Sequence, residues 1–319
     1  VKRIIVPTEV ADCDVIASVS GGKDSSALAL SLREADVPFR MVFADTGWEA
    51  PETYAHLDTL RRLIGPIDVV KPKRDMRDSI KHRAGFPARM QRWCTQELKI
   101  MPLRAYHDEH EDRTGRETVC AMGVRAEESA SRSKMAVFDD EPARDSEGER
   151  GWGGYVWRPI LDWTVADVIE IHRRHGVPMN PLYHAGFDRV GCYPCIFSRK
   201  EEIRLLAMRS PERIDEIDGM ERAVTDDRAL RNAEHRAAGN DEDRYKHPQG
   251  TFFQGRAGVG ASDGYVKIRD VVSWAMTDKG GRQFPILQDP PRGGCMRWGL
   301  CEAPPTEDAD IERVLKVKP

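Results

Sequence analysis

Ser18-Val19-Ser20-Gly21-Gly22-Lys23-Asp24-Ser25-Ser26 decides how this chain is read. Upstream, Val15-Ile16-Ala17-Ser18-Val19 has the short apolar run of a buried strand, and downstream Ala27-Leu28-Ala29-Leu30-Ser31-Leu32 has the apolar pattern of an amphipathic helix. The glycines therefore fall at a helix N-terminus. There, unpaired backbone N–H groups and the positive end of the helix dipole favour an anion, and Gly21 and Gly22 let the backbone approach it closely. Lys23 adds a full charge, while Ser20, Ser25 and Ser26 offer hydroxyl donors. A phosphate-bearing ligand is the first expectation. The spacing is not the Walker form, which keeps more residues between its first glycine and Gly-Lys-Ser/Thr. The bland competitor is an ordinary strand-to-helix turn with a glycine pair.

Outward from this loop, Phe39-Arg40-Met41-Val42-Phe43-Ala44-Asp45-Thr46-Gly47 reads as a second strand ending in an acidic turn. Residues 51–64 read as a helix, with Pro51 near its start and Leu57, Leu60, Leu63 and Ile64 as an apolar stripe. Ile67-Asp68-Val69-Val70 and residues 117–123 supply a third and a fourth strand. Strands alternating with helices predict an α/β fold, a doubly wound parallel sheet covered on both faces, with ligands beyond the carboxyl ends of the strands. That puts the glycine loop, Asp45 and the Gly123-Val124-Arg125 turn at one mouth. Residues 164–175 read as a capped helix, with Thr164 at its N-cap and Asp167 three residues on. From about Lys200 the character changes. Residues 204–208 and 223–238 suggest short helices and 245–264 a glycine-rich loop, so the expected organisation is a nucleotide-binding domain over 1–200 and a C-terminal helical and irregular extension over 201–319.

With 319 residues, 40% hydrophobic and 32% charged, the chain has the composition of a globular protein with a substantial core. No apolar run reaches the length of a membrane span and no signal-peptide pattern opens the sequence, so a cytoplasmic location without membrane partners is expected. A formal net charge of -4 gives no general attraction to nucleic acid, which leaves that role to a local basic patch. Lys71, Lys73, Arg74, Arg77, Lys81, His82 and Arg83 form one candidate, and a solvated helix face has the same composition. Seven cysteines in a cytoplasmic enzyme point to metal ligation or catalysis rather than disulfides. Cys120, in a buried strand, and Cys13, in an acidic turn, are the exceptions, since nothing nearby activates either thiol.

Four separated motifs agree on a family. Ser20-Gly21-Gly22-Lys23-Asp24-Ser25-Ser26 looks like the PP-loop of ATP pyrophosphatases. Together with Phe43-Ala44-Asp45-Thr46-Gly47-Trp48, with Gly123-Val124-Arg125-Ala126-Glu127-Glu128-Ser129 plus Arg132, and with Pro178-Met179-Asn180-Pro181-Leu182-Tyr183 leading into Gly191-Cys192-Tyr193-Pro194-Cys195, it resembles the phosphoadenosine phosphosulfate (PAPS) reductase family over roughly residues 15–200. The resemblance implies an adenine-nucleotide α-hydrolase-like sheet. It also implies an iron-sulfur cluster. Alignment of Arg92-Trp93-Cys94-Thr95-Gln96-Glu97-Leu98-Lys99-Ile100-Met101-Pro102-Leu103 with the family puts Cys94 on the first cysteine of its pair and Thr95 on the second. Cys94, Cys192 and Cys195 are thus the implied ligands of a 4Fe-4S cluster, with zinc or bare thiols as the alternatives for the CxxC. Cys295 or Cys301 completes the set, or the fourth iron stays open to bind sulfide.

Two features separate the chain from the sulfonucleotide reductases. Their C-terminal Glu-Cys-Gly-x-His segment is absent, Leu300-Cys301-Glu302 being a loose echo, and their phosphate loop usually lacks the Lys-Asp pair that Lys23 and Asp24 supply. The combination looks like the iron-sulfur ATP-pyrophosphatase subunit of DNA phosphorothioation systems, the DndC and SspD type. The implied reaction uses ATP and Mg²⁺, activates an acceptor by adenylylation and lets sulfur displace the adenylate, with a cysteine desulfurase as sulfur donor and DNA and other subunits of a modification complex as partners. Lys23, Asp24 and Arg125 are its expected catalytic residues. Ser20, Gly21, Gly22, Ser25, Ser26, Asp45, Gly123 and Arg132 are expected to bind nucleotide, Asp24 or Asp45 to position the magnesium ion, and Cys301 to be the fourth metal ligand. Structural ion pairing competes for Arg132, solvation competes with a donor or base role for His184, and core packing competes with stacking on adenine or a flipped base for Trp48, Trp93 and Trp163. The rival readings are an iron-sulfur APS or PAPS reductase, an adenylyltransferase like the small subunit of ATP sulfurylase, and a cluster-bearing subunit that binds ATP without turning it over.

Overall fold

The computed structural model describes residues 2–88, 90–141, 152–253 and 265–278. By contact the chain divides into two units, one from Val1–Pro72 and Gln96–Cys192, the other from Lys73–Thr95 and Tyr193–Gln288, each as far as the described residues reach.

The first unit holds β1 (Asp14–Ser18), α1 (Lys23–Glu34), β2 (Phe39–Ala44), α2 (Pro51–Leu63) and β3 (Ile67–Val70). It continues through α3 (Met101–Thr114), β4 (Thr118–Met122), β5 (Phe138–Glu141), β6 (Gly154–Trp157) and α4 (Val165–His175). The strands form one sheet in the order β3-β2-β1-β4-β6-β5. All pairs are parallel except β5 with β6. The direction of winding reverses between β1 and β4, and Gly21 to Ser25 and Gly123 to Arg125 follow those two strands at the carboxyl edge.

Alternation along the strands sorts the core onto two faces. Val15, Ala17, Met41, Phe43, Val119 and Ala121 pack with Leu28 and Leu32 of α1 and Val168 and Ile171 of α4. Ile16, Val42, Ala44, Cys120 and Val156 pack on the other face with Leu103 of α3. Both faces being buried, the strands read as continuous apolar runs, and the expected doubly wound α/β sheet is what forms. Thr164 caps α4 by accepting from the Asp167 N–H at 3.2 Å, and Asp167 accepts from the Thr164 N–H at 2.8 Å.

The second unit is mainly helical, with Met76–Arg83, Lys200–Arg209, Pro211–Ala237 and Ile268–Ala275. Pro211–Ala237 is one helix of 27 residues where the sequence suggests only a short helix from Ala223. Gly219 sits inside it, and the cost of about 1 kcal/mol for a single helical glycine does not break a helix of this length. Glu221 on this helix accepts from the Phe252 and Ile268 N–H groups at 2.8 and 2.9 Å, holding two later segments to it. Residues 245–253 form no helix or strand, as expected of that loop, and its remainder over 254–264 lies outside the described residues.

Candidate functional site

The glycine loop occupies the turn between β1 and α1, with Gly22 at the N-cap. Gly21 has φ 72°, a left-handed conformation, and a Cβ there would meet Thr53 Cγ2 at 3.0 Å. The Ser25 and Ser26 hydroxyls donate to the Gly22 carbonyl at 2.9 and 3.1 Å, and the Ser20 N–H donates to Ser25 Oγ at 3.1 Å. Those two hydroxyls shape the loop. Among the described residues, the N–H groups of Gly21, Gly22, Asp24 and Ser25 make no hydrogen bond. A helix start with open amides is a ready anion site.

Two distant segments hold the loop. Asn180, fully buried, donates from Nδ2 to the Gly21 carbonyl at 3.1 Å and accepts at Oδ1 from the Leu182 N–H at 3.0 Å. The Tyr183 hydroxyl accepts from the Lys23 N–H at 3.1 Å, and its ring lies 5.2 Å from Lys23 Nζ. Burial pushes the Tyr183 phenol well above its ordinary range, so it stays neutral. From the other side comes Gly123, just past β4, where a Cβ would stand 2.7 Å from the Asp24 carbonyl oxygen. Glycine is required there by backbone contact alone.

Charge at the loop is arranged as a chain. Lys23 Nζ meets Asp24 Oδ2 at 2.9 Å and Arg125 Nε meets Asp24 Oδ1 at 2.5 Å, with the Lys23, Asp24 and Arg125 side chains only 7%, 14% and 3% exposed. Arg125 also pairs with Glu127, and Arg132 pairs with Glu128. Burial works to raise the Asp24 carboxyl, yet the Lys23 and Arg125 charges outweigh it and hold the group below its ordinary value. The predicted trio of Lys23, Asp24 and Arg125 is thus brought together, whereas the partner found for Arg132 is a carboxylate.

Asp45 follows β2, accepting at Oδ1 from the Gly47 N–H at 3.0 Å and the Tyr54 hydroxyl at 2.7 Å, with Lys71 Nζ 3.7 Å from Oδ2. Beside it is a carboxylate that sequence reasoning passed over. Glu49, 4% exposed, accepts from Thr46 Oγ1 at 2.7 Å, the Trp48 N–H at 3.1 Å and the Tyr54 hydroxyl at 3.3 Å. Burial first, then the Asp45 and Glu49 carboxylates, push the Tyr54 phenol up. The only signal for Glu49 and Tyr54 was their proximity to the Asp45 turn. Trp48 and Trp163 are core residues, and Trp93 lies against Arg83 at 5.2 Å. His184 is half-buried, which lowers its pKa.

Cys13 and Cys120 are buried free thiols, both raised chiefly by burial. Cys192 closes the first unit, and Cys94 and Cys195 belong to the second, where Cys195 Sγ accepts from the Phe197 N–H at 3.5 Å. Among the described residues no group of three or more His, Cys, Asp or Glu side chains is gathered to hold a metal ion. Cys295 and Cys301 lie outside the described residues. A cavity of about 1070 Å³ at the opposite, amino edge of the sheet is lined by Cys13, Asp14, Arg40, Asp68, His110 and Arg116. Asp14 pairs there with both His110 and Arg116, and Arg40 with Asp68, so its charges answer one another.

A mostly parallel α/β sheet with open amides, a lysine and an arginine at its switch point has the features of an anion-binding α/β protein. A family model, the phosphoadenosine phosphosulfate reductase domain, matches residues 14–198, and the chain belongs to that family of enzymes. It is 30% identical over 326 residues to an uncharacterized 37.8 kDa protein of Escherichia phage 186, covering 85% of this chain and 91% of that one. It is 27% identical to the adenosine 5'-phosphosulfate reductase of Allochromatium vinosum, over 57% of this chain and 67% of the reductase. Among solved structures, the PAPS reductase of Candida auris in a phosphate complex aligns over 58% of this chain and 84% of that one, with 18% identity and a TM-score of 0.45. No helix among the described residues is long and apolar enough to cross a membrane.

Proposed function

We propose that the chain is an ATP pyrophosphatase that activates an acceptor by adenylylation for sulfur transfer, the acceptor being a DNA backbone phosphate. The observation that carries this reading is the intact loop, with Lys23 and Asp24 in place and four backbone N–H groups open at the start of α1. An enzyme whose substrate already carries an activated sulfur has no need of a cradle for a leaving pyrophosphate.

In the proposed step an acceptor oxygen attacks the α-phosphorus of ATP, the bond to the bridging oxygen of the β-phosphate breaks, and pyrophosphate leaves with the electron pair. The acceptor then carries adenylate, which a sulfur nucleophile displaces as AMP. The loop amides and Lys23 Nζ stabilise charge on the departing pyrophosphate, the kind of donor whose removal costs about 10²–10³ in rate. Arg125 is the second cation. Both are paired with Asp24, so a triphosphate competes with that carboxylate for them. A magnesium ion bound with the nucleotide would offset the charge of its phosphates, and Asp24 or Asp45 would supply a protein carboxylate to it.

An iron-sulfur cluster on Cys94, Cys192 and Cys195 is supported by donor chemistry alone, thiolates being soft ligands. No gathered group among the described residues supports it, and no step of the proposed reaction passes through it. Iron and sulfide analysis of anaerobically purified protein tests it, with loss of visible absorbance expected for Cys192→Ser and unchanged absorbance removing Cys192 from the set. A sulfonucleotide reductase is the second reading, favoured by the similarity to named APS reductases. Pyrophosphate from ATP supports the first; sulfite from APS or PAPS with thioredoxin, and no pyrophosphate from ATP, supports the second.

A further inference from the structure

Residues 73–95 of the second unit carry charge that the nucleotide loop does not use. The described cations there are Lys73, Arg74, Arg77, Lys81, Arg83 and Arg92, against Asp75 and Asp78, in a chain whose net charge is -4. Helix Met76–Arg83 turns Met76, Ser79 and Ile80 inward, and Arg77 pairs with Glu216. Asp75 is engaged as the N-cap, accepting from the Asp78 N–H at 2.9 Å. Lys73, Arg74, Lys81 and His82 are exposed and make no ion pair among the described residues. Asp78 is the exposed acid among them.

Apolar and aromatic groups are interleaved with these cations. Arg83 lies 5.2 Å from the Trp93 ring and Arg92 5.3 Å from the Phe197 ring, while Met90 is 94% exposed. Lys73, Arg74, Lys81 and His82 thus leave positive charge at the surface that no carboxylate among the described residues pairs with. Duplex DNA carries one charge per about 1.7 Å of axis, which satisfies scattered cations in any register. Apolar side chains beside the cations suit contact with base edges or steps.

We propose that the exposed cations Lys73, Arg74, Lys81 and His82 of this segment are a docking surface for the phosphate backbone of duplex DNA. This rests on the reading that DNA is the acceptor, and it assigns to the second unit the task of holding it.

The test is fluorescence anisotropy of a short labelled DNA duplex titrated with full-length protein over a range of NaCl concentrations. For Lys73→Gln/Arg74→Gln/Lys81→Gln the slope of log K against log salt falls in magnitude by about 2.7, at about 0.9 for each phosphate that is no longer neutralised. Asp78→Asn tightens binding, which keeps the test decisive should the triple variant misfold. At saturating DNA, pyrophosphate release from ATP stays at the parental rate in both variants. A parental slope and affinity in both overturns the proposal, as does displacement of the duplex by poly-glutamate as effective as that by unlabelled DNA at equal charge. A patch-dependent slope in a protein that releases no pyrophosphate leaves the docking surface standing and removes the activity instead.

Discussion

The backbone N–H of Lys23 is bonded to the hydroxyl of Tyr183 at 3.1 Å, a contact that joins the start of α1 to a residue 160 positions away. It fixes which amides of the loop remain for a ligand. Asn180, on the same segment, fixes the carbonyl of Gly21, so the anion cradle is shaped by a part of the chain that itself touches no phosphate in the proposed mechanism.

Tyr183→Phe keeps the ring and removes the oxygen that accepts from the Lys23 N–H. The expected cost is about 1–3 kcal/mol in urea unfolding, with weaker ATP binding by calorimetry. Unchanged stability and unchanged affinity would mean that the bond does not support the loop.

Gly123→Ala sets a methyl group 2.7 Å from the Asp24 carbonyl, which is backbone and does not yield as a flexible side chain does. Overpacking of this kind costs about 1–3 kcal/mol, and here it displaces the first turn of α1. A loss of ATP turnover larger than that of Gly115→Ala is expected, since nothing lies within 4 Å of a Cβ at Gly115, although its φ of 69° strains that variant too. Equal turnover in the two variants contradicts this role for Gly123.

Stability should depend on pH with two limbs of opposite sign. Asp24 is held below its ordinary value of 3.8, so its contribution is present above that pH and is lost as pH falls through the folded value. Glu221 is raised from 4.5 to about 7, by burial first and against the Phe252 and Ile268 N–H groups and Lys267, with Asp218 adding to the rise. Its contribution is complete below pH 4.5 and is lost as pH rises through about 7. Urea midpoints measured from pH 3 to 9 should show both, with Asp24→Asn reducing the acid limb, to which Asp14, Glu34, Asp167 and Asp218 also contribute, and Glu221→Gln removing the neutral one.

Much of the fold was legible because the central strands are buried on both faces, and apolar runs such as Val15-Ile16-Ala17 leave little choice of role. The cap at Thr164 and Asp167 was legible because its signal is local. Phe138-Asp139-Asp140-Glu141 was not seen as a strand, since an edge strand with acidic side chains has no apolar alternation to betray it. The site divides in the same way. Lys23, Asp24 and Arg125 announce themselves by type and motif, but the duties of Asn180, Tyr183 and Gly123 depend on contacts across about a hundred residues or more, which no local pattern encodes. The pairing of Glu49 with Tyr54 is hidden for the further reason that a buried carboxylate with three donors looks in sequence like any surface acid.

The central claim is that the loop at the start of α1 binds ATP and releases its outer two phosphates. Pyrophosphate and AMP should be quantified after incubating anaerobically purified protein with ATP and magnesium, with and without duplex DNA, beside Lys23→Ala. Pyrophosphate is expected from the parent with DNA present, its adenylate staying on the DNA until a sulfur nucleophile displaces it as AMP, with a fall of about 10²–10³ in the variant. Sulfite formed from APS or PAPS with thioredoxin, with no pyrophosphate formed from ATP under either condition, would contradict the claim.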